Sequence, residues 1–178
     1  MCLRAVVVQL VLLLRARGFV ASYCMTLGYH GRVQLRGSDA VVLGAGVELV
    51  SMDEFVRLCG DVGALSAWCE GTPGAALEPF VTHTFTPAEL AQASERYDPA
   101  LYLAGRFAAK LAVCKALALG ASEAFDLRVI ETLDAPSGAP RVSCSAAFAA
   151  VLAKAGAHEV LVSITNEDPY VLAFALAQ

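Results

Sequence analysis

The sequence predicts an α+β domain with a mainly antiparallel sheet. Three observations support this class: a strand rich in glycine early in the chain, a long apolar helix near its middle, and a clear hairpin at its end. The segments run in the order strand, two or three helices, two strands, one helix and two final strands. Strands and helices in this order form a sheet with helices packed against it.

The composition is that of a folded domain with an acidic body. The chain has 178 residues, of which 57% are hydrophobic and 17% charged, so it can bury a proper core. Residues 1–40 carry a net charge of +4 and residues 41–178 a net charge of −8. An acidic body argues against a nucleic-acid partner, because phosphates require clustered Lys and Arg. The six cysteines form no C-x-x-C pair and no Cys/His cluster, which predicts neither zinc nor a redox dithiol and favours a reducing, cytoplasmic setting.

Residues 1–40 are predicted to be a basic and apolar extension of a domain that covers residues 41–178. The apolar run Ala5–Leu14 is about half the ~20 residues that a membrane-spanning helix needs, so no membrane span is predicted. Arg15 and Arg17 follow the run directly, which is unusual for a signal peptide. We expect an amphipathic or loosely attached segment, or a start upstream of the true one, with Met25 as an alternative beginning.

The first half of the domain is predicted to hold one strand and two helices. The strand is 41–50, in which two glycines allow another backbone to approach closely and Glu48 is the one carboxylate. A charge in such a strand needs a partner, a metal or an edge position. Helical spacing follows from Met52 to Cys59, and residues 60–79 are expected to form a mobile surface loop with some helical content. The next helix, 87–97, starts with a capping box at Thr86.

The central helix is predicted to run from Tyr102 to Leu117. Asp98 and Pro99 are an N-cap and a first helical residue, and Gly120 is a candidate for the left-handed C′ position. The helix carries a few cations among Ala, Leu, Phe and Val: Arg106, Lys110 and Lys115. Cations on a mostly buried helix suit an anionic ligand, although cations on an apolar helix are more often solvated or snorkelling.

The last third is predicted to contain two hairpins with a helix between them. The first hairpin joins a strand at 125–132 to a short strand at 141–143 through the Pro- and Gly-rich turn 134–140. The alanine-rich helix 146–155 ends at Gly156. The final hairpin has strands at 159–165 and 170–177 with a turn at 166–169.

Three blocks of this sequence resemble the holo-acyl-carrier-protein synthase branch of the 4′-phosphopantetheinyl transferases. They are Gly46–Val50, Phe85–Leu90 continuing into Tyr102–Lys110, and Val162–Asn166. The resemblance covers residues 41–178 and implies that family's fold and a homotrimer with clefts between subunits. It also implies a magnesium ion that bridges two carboxylates and the pyrophosphate of coenzyme A, while a carrier-protein serine attacks the β-phosphate.

Several positions that the resemblance assigns to the chemistry are substituted in this chain. Glu48 stands where the family has Asp, Leu111 stands in place of a Glu that binds magnesium, and Asn166 stands where many members have His. An amide takes no proton near neutral pH. The phosphate side is better matched, since the resemblance assigns coenzyme A contacts to four residues: Arg106, Lys115, Gly138 and Pro140. The helix expected to dock an acidic carrier protein instead carries Asp53, Glu54 and a single Arg57.

These substitutions favour the hypothesis of a divergent, repurposed transferase. In this hypothesis Glu48, Asn166 and Lys110 are candidate catalytic residues on a small or carrier-tethered acyl or polyketide substrate, and Glu48 is a weak metal ligand. The alternatives are a functional phosphopantetheinyl transferase and a non-catalytic trimeric scaffold. Coenzyme A and magnesium are expected only if the family reaction is retained. A competing interpretation is that Glu48 simply pairs with Lys110 or Lys115.

Overall fold

The computed structural model describes residues 33–34, 41–60, 62–72, 76–119 and 125–178. The strands are β1 (Val33–Gln34), β2 (Val41–Val42), β3 (Gly44–Ser51), β4 (Thr132–Asp134), β5 (Pro140–Val142), β6 (Val160–Glu167) and β7 (Tyr170–Ala177). The α-helices are α1 (Met52–Cys59), α2 (Val62–Cys69), α3 (Pro79–Thr84), α4 (Pro87–Ser94), α5 (Pro99–Ala116) and α6 (Ala146–Ala155). The apolar run and the alternative start proposed for the extension lie outside the described residues.

The main sheet has three antiparallel strands in the order β3-β7-β6. The final hairpin is therefore present, and its second strand lies in the centre of the sheet. Glu48 pairs with Ala173, and Ala173 pairs with Ile164 on the other side. Two small antiparallel sheets accompany it, one of β1 with β2 and one of β4 with β5. This architecture confirms the predicted α+β class.

Helix α5 lies across one face of the main sheet and is the centre of the core. Its N-cap is Asp98, whose carboxylate accepts a hydrogen bond from the backbone N–H of Leu101 at 2.9 Å, as the sequence predicted. The face toward the sheet is mostly small residues, and Ala108 and Ala112 are fully buried. A Cβ atom at Gly46 would overlap the carbonyl oxygen of Ala112. The strand and the helix can approach closely because both sides of the contact are small.

The opposite face of the main sheet is apolar and partly exposed. Residues of alternate parity point to the two faces of a strand. The residues that share a face with Val50 and Val171 face α5; those of β7 are all buried, and those of β3 alternate between buried and half-buried. Side chains of the other parity lie on the outer face, and six of them are large and apolar: Val47, Leu49, Leu161, Leu172, Phe174 and Leu176. Leu49 is 55% exposed. We call this set the outer sheet face.

The structure corrects the predicted strand at 125–132. Residues Leu127–Val129 form a 3₁₀ turn, and only Thr132–Asp134 is a strand. The turn forms because the side chain of Asp126 accepts the backbone N–H of Arg128, while the carbonyls of Leu127 and Ile130 bind the Lys110 ammonium. These carbonyl oxygens therefore bond to an ammonium group and not to a neighbouring strand.

Residues 60–79 contain more helix than the loop that the sequence predicted. Helix α2 spans Val62–Cys69, and α3 begins at Pro79. Phe80 at the start of α3 packs edge-to-face on Phe55 and Phe107, with ring centroids 6.1 and 5.4 Å away. Aromatic packing of this kind fixes α3 against α1 and α5 although its local sequence signal is short.

Candidate functional site

One candidate cluster is an ion pair between β3 and the last turn of α5. The Lys115 Nζ lies 2.6 Å from Glu48 Oε2 and donates a hydrogen bond to the Val47 carbonyl at 3.0 Å. The Lys115 side chain is 56% exposed and that of Glu48 is 20% exposed. Glu48 therefore has the partner that an ionised side chain in an apolar strand requires. This outcome agrees with the competing interpretation in which Glu48 pairs with a lysine.

Leu111 lies one helical turn before Lys115 on the same side of α5. Residues four apart on a helix are neighbours on its surface, so Leu111 lies next to Lys115. The side chain is partly buried. It offers only carbon atoms at the position where the resemblance places an acidic ligand.

The second candidate cluster gathers around the first half of α5. Arg106 Nη2 binds Asp134 Oδ1 at 2.7 Å, and Arg96 Nη2 binds Asp134 Oδ2 at 2.7 Å. Both guanidinium groups also lie over the ring of Tyr102, with Arg106 Cζ 4.3 Å and Arg96 Cζ 5.2 Å from its centroid. Burial raises the pKa of the Tyr102 hydroxyl, and the neighbouring Arg106 charge opposes that rise. We call these four residues the arginine cluster.

Arg106 has unused hydrogen-bond donors inside the arginine cluster. Its side chain is 7% exposed, and its Nε and Nη1 atoms are buried without a partner among the described residues. Buried polar groups in proteins are normally hydrogen-bonded, and a guanidinium presents its donors in a fork that suits phosphate or carboxylate oxygens. An anion that reached this position would satisfy donors that the chain itself leaves open.

The turn between β4 and β5 lies next to the arginine cluster. Asp134 is paired with Pro140 across the small sheet, and Gly138 in the turn has φ +80°, a conformation that favours glycine. Three of the residues predicted to contact coenzyme A, Arg106, Gly138 and Pro140, therefore lie in one region. Lys115 lies elsewhere.

The two clusters lie on opposite sides of α5. Arg106 and Lys115 are nine residues apart, which places them about 180° apart around the axis and about 13 Å apart along it. Glu48 lies in the edge strand β3, whereas the arginine cluster adjoins β4 and β5 beside the opposite edge strand, β6. One chain cannot present both clusters to one small ligand.

The structure separates the three predicted catalytic residues. Asn166 is exposed in β6, two strands from Glu48, which amounts to about 10 Å across the sheet. Lys110 is fully buried, where its Nζ binds Glu89 Oε2 at 2.9 Å. Burial lowers the pKa of Lys110, and the Glu89 carboxylate opposes that shift. These contacts are those of a group that holds α5 to its neighbours.

Sequence reasoning missed the partners of these cations. The local pattern places Asp134 in a turn and places Arg96 and Glu89 in a helix, but it indicates no ion pair for any of them. The spacing of Tyr102 and Arg106, one turn apart, was the available signal, because an aromatic ring and a guanidinium at that spacing can stack. Asp134 comes from a strand distant in sequence, which the local pattern does not reveal.

Together, these observations define an α+β protein that carries two clusters of paired cationic and acidic side chains on opposite sides of α5. A sequence model of the 4′-phosphopantetheinyl transferase superfamily matches residues 72–175. A holo-[acyl-carrier-protein] synthase of Neisseria meningitidis is 31% identical over 138 residues, which cover 78% of this chain and 99% of that protein. The chain belongs to the 4′-phosphopantetheinyl transferase superfamily.

Other relatives and solved structures agree with this assignment. A holo-[acyl-carrier-protein] synthase of Ralstonia nicotianae is 44% identical over 77 residues, which are 43% of this chain and 55% of that protein. The crystal structure of the Neisseria meningitidis synthase aligns with a TM-score of 0.61 at 30% identity and covers 77% of this chain and 98% of that one. A Mycobacterium tuberculosis acyl carrier protein synthase aligns with a TM-score of 0.53 at 30% identity and covers 77% and 97%.

These findings favour the transfer reaction of the family over the hypothesis of a repurposed transferase. The two relatives described above are both named holo-[acyl-carrier-protein] synthase, which supports no other reaction. The repurposed activity that the substitutions suggested is therefore not supported, and the alternative of a functional transferase fits better. Among the described residues, no helix has the length and apolar character needed to cross a membrane.

The side chains do not fit the magnesium ion that the resemblance implies. Glu48 is already bound to an ammonium group, and Leu111 supplies no oxygen. Across the described ranges, no three His, Cys, Asp or Glu side chains gather where they could hold a metal ion. Magnesium prefers near-octahedral oxygen ligands, and a cation that already occupies the carboxylate competes with it. No step of the reaction is therefore assigned to this ion.

Proposed function

We propose that the protein transfers 4′-phosphopantetheine from coenzyme A to a serine of an acyl carrier protein. The supporting observation is the buried Arg106, whose Nε and Nη1 donors have no partner among the described residues. Membership of the superfamily gives the reaction class, and the unpartnered Nε and Nη1 atoms are charged donors of the kind that bind phosphate oxygens. A solved relative from Chronobacterium ammoniagenes, 25% identical with a TM-score of 0.56, is described as a complex with coenzyme A.

In the proposed reaction the serine oxygen forms a bond to the β-phosphorus of coenzyme A. The bond from that phosphorus to the oxygen bridging the two phosphates breaks, and adenosine 3′,5′-bisphosphate leaves. Glu48 is our candidate to accept the serine proton, and Lys115 and Arg106 stabilise the phosphate charge. We assign Asn166 a hydrogen-bonding role from a neighbouring subunit, and we keep Lys110 out of the reacting groups because it is fully buried.

We propose a homotrimer in which neighbouring subunits build each site together. Two features support a shared site: the clusters lie on opposite sides of α5, and Asn166 lies two strands from Glu48. The outer sheet face offers an apolar surface for the contact, with Leu49 55% exposed. Size exclusion with light scattering should give a trimer, and Leu49→Lys should shift it toward the monomer. A wild-type monomer at micromolar concentration would contradict the shared site.

The proposed carrier partner should have a docking face that can approach the acidic side chains of helix α1. Helix α1 exposes Asp53 and Glu54 in its first turn, with Arg57 as its basic residue. Like charges across an interface slow association. We therefore expect faster transfer to carriers whose docking helix is less acidic. The reducing, cytoplasmic setting inferred from the cysteines remains part of this proposal, and the four described cysteines are free thiols.

The test is incubation of an apo acyl carrier protein with this protein and coenzyme A, followed by mass spectrometry. The expected result is a mass gain of one phosphopantetheine group on the carrier serine. Arg106→Met should reduce the rate by about tenfold or more, since hydrogen bonds to charged groups contribute about 1.5–3 kcal/mol. Lys154→Met, on the exposed side of α6, is the matched control and should not change the rate. No mass gain with any carrier tested would refute the proposal.

A further inference from the structure

The Lys115 ammonium is held in place by the chain but remains open to solvent. Two acceptors bind it, Glu48 Oε2 at 2.6 Å and the Val47 carbonyl at 3.0 Å, and more than half of the side chain is exposed. An ammonium has three N–H donors, so one remains for another oxygen. The β3 backbone and a carboxylate therefore fix a positive charge at the surface of the site.

Leu111 determines which cation this position can hold. A carboxylate at position 111 would lie one turn from Lys115. Together with Glu48, it would offer a metal ion a second carboxylate ligand. The leucine offers no such ligand, so Glu48 has Lys115 as its charged partner, and among the described residues Lys115 forms no ion pair with another carboxylate. Two other carboxylates near α5 are already engaged, since Glu89 binds Lys110 and Asp134 binds Arg106.

We propose that the Lys115 ammonium, held by Glu48 and Val47, takes the place of a divalent ion as the charge that neutralises the diphosphate of coenzyme A. This inference rests on the proposed function. It makes coenzyme A binding independent of magnesium in this chain. Lysine is suited to the task because its ammonium is a compact point charge that binds phosphate.

The arrangement couples the ligand to Glu48 as well. A phosphate oxygen that accepts a hydrogen bond from the free N–H of Lys115 binds the same ammonium group that pairs with the Glu48 carboxylate. The carboxylate then lies beside the bound diphosphate, where it can accept the proton of an attacking hydroxyl. The pair therefore supplies both the neutralising charge and the proton acceptor from the chain itself.

The test is calorimetric titration of the full chain with coenzyme A, in EDTA and in millimolar magnesium. We expect wild-type affinities in the two buffers to agree within about twofold, and Lys115→Met to lower affinity about tenfold or more, the range for a hydrogen bond to a charged group. Lys115→Arg keeps the charge and should retain most of the affinity. Lys154→Met, an exposed lysine of α6, is the control and should bind as the wild type does.

Leu111→Glu tests the inference from the opposite direction. Restoring a second carboxylate should make coenzyme A binding stronger in magnesium than in EDTA, by about tenfold, the scale on which ligand-shell changes alter metal affinity. Electron paramagnetic resonance of added Mn²⁺ gives a readout independent of coenzyme A, and it should detect bound ion in the variant and none in the wild type. Circular dichroism confirms that each variant is folded.

The outcomes separate this inference from the proposed function. Wild-type affinity that rises about tenfold with magnesium, or an unchanged affinity in folded Lys115→Met, overturns the role of Lys115 and leaves the transfer reaction standing. Mn²⁺ bound to the wild type does the same. Absence of coenzyme A binding in both buffers overturns the proposed function and this inference with it.

Discussion

The buried pair of Lys110 and Glu89 gives the sharpest test of how α5 is held in place. Lys110 Nζ lies 2.9 Å from Glu89 Oε2, and both side chains have 0% exposure. The ammonium also donates to the carbonyls of Leu127 at 3.0 Å and Ile130 at 2.7 Å. Glu89 Oε1 in turn accepts the backbone N–H of Thr132 at 2.8 Å. The pair thus joins α4, α5 and the segment leading into β4.

The expected cost of breaking the pair follows from its burial. Removing one partner of a buried ion pair costs about 3–5 kcal/mol, because the other charge is left uncompensated. Lys110→Met leaves the Glu89 carboxylate without its cation and also removes the ammonium donor of the buried Ile130 carbonyl, whereas the Leu127 carbonyl keeps the backbone N–H of Ile130. Since domains unfold with about 5–15 kcal/mol in total, this variant should be close to the limit of folding.

Urea unfolding followed by circular dichroism measures the free energies for a double-mutant cycle. Lys110→Met and Glu89→Gln should each be strongly destabilised, and the double variant should be more stable than the sum of the two losses predicts. Lys154→Met, at the surface of α6, should change the free energy of unfolding by less than about 0.5 kcal/mol.

A different result would restore a catalytic role for Lys110. If Lys110→Met unfolds like the wild type and yet transfers no phosphopantetheine, the lysine acts on the substrate as the sequence suggested. If it is destabilised and the folded fraction is still active, the structural assignment stands.

Three further predictions address packing, the arginine cluster and the thiols. Gly46→Ala should lower the free energy of unfolding by about 1–3 kcal/mol, because the added methyl overlaps the Ala112 carbonyl, and urea unfolding measures this. Asp134→Asn should raise the affinity for adenosine 3′,5′-bisphosphate by up to about fivefold in calorimetry, because the Asp134 carboxylate no longer competes with the ligand for the guanidinium groups of Arg96 and Arg106. A loss of affinity would mean that the carboxylate orients these two groups. At pH 8, iodoacetamide and peptide mapping should find that, of the four cysteines in the described ranges, exposed Cys144 is labelled first and Cys59 last, because burial raises the pKa of the Cys59 thiol to about 12 and keeps it protonated.

The elements that the sequence predicted well have their signals within a few residues. The capping box of α4 is complete, with Thr86 and Glu89 each accepting the other's backbone N–H. Gly156 takes the left-handed C-cap of α6 with φ +70°. The final hairpin formed because alternating apolar residues flank a tight turn. In each case the stabilising partner is close in sequence, so the local pattern contains the necessary information.

The prediction of a strand at 125–132 was wrong because the residue that binds this segment is distant in sequence. Its alternation of apolar residues suits a strand, but the Lys110 ammonium binds the carbonyl oxygens of Leu127 and Ile130. That bond is determined by where α5 lies. Short apolar runs are ambiguous between structures for this reason.

The candidate site divides in the same way. The sequence by itself determined which charged groups the chain has, that a leucine stands at position 111, and which family the blocks resemble, because these depend on residue identity and spacing. Only the tertiary structure decided that Glu48 binds Lys115, that Arg106 is shared with Asp134 while two of its donors stay open, and that Lys110 is buried. The physical reason is that the partner of a charge is chosen by the packing of α5 against the sheet, and contacts between residues far apart in sequence leave no local pattern.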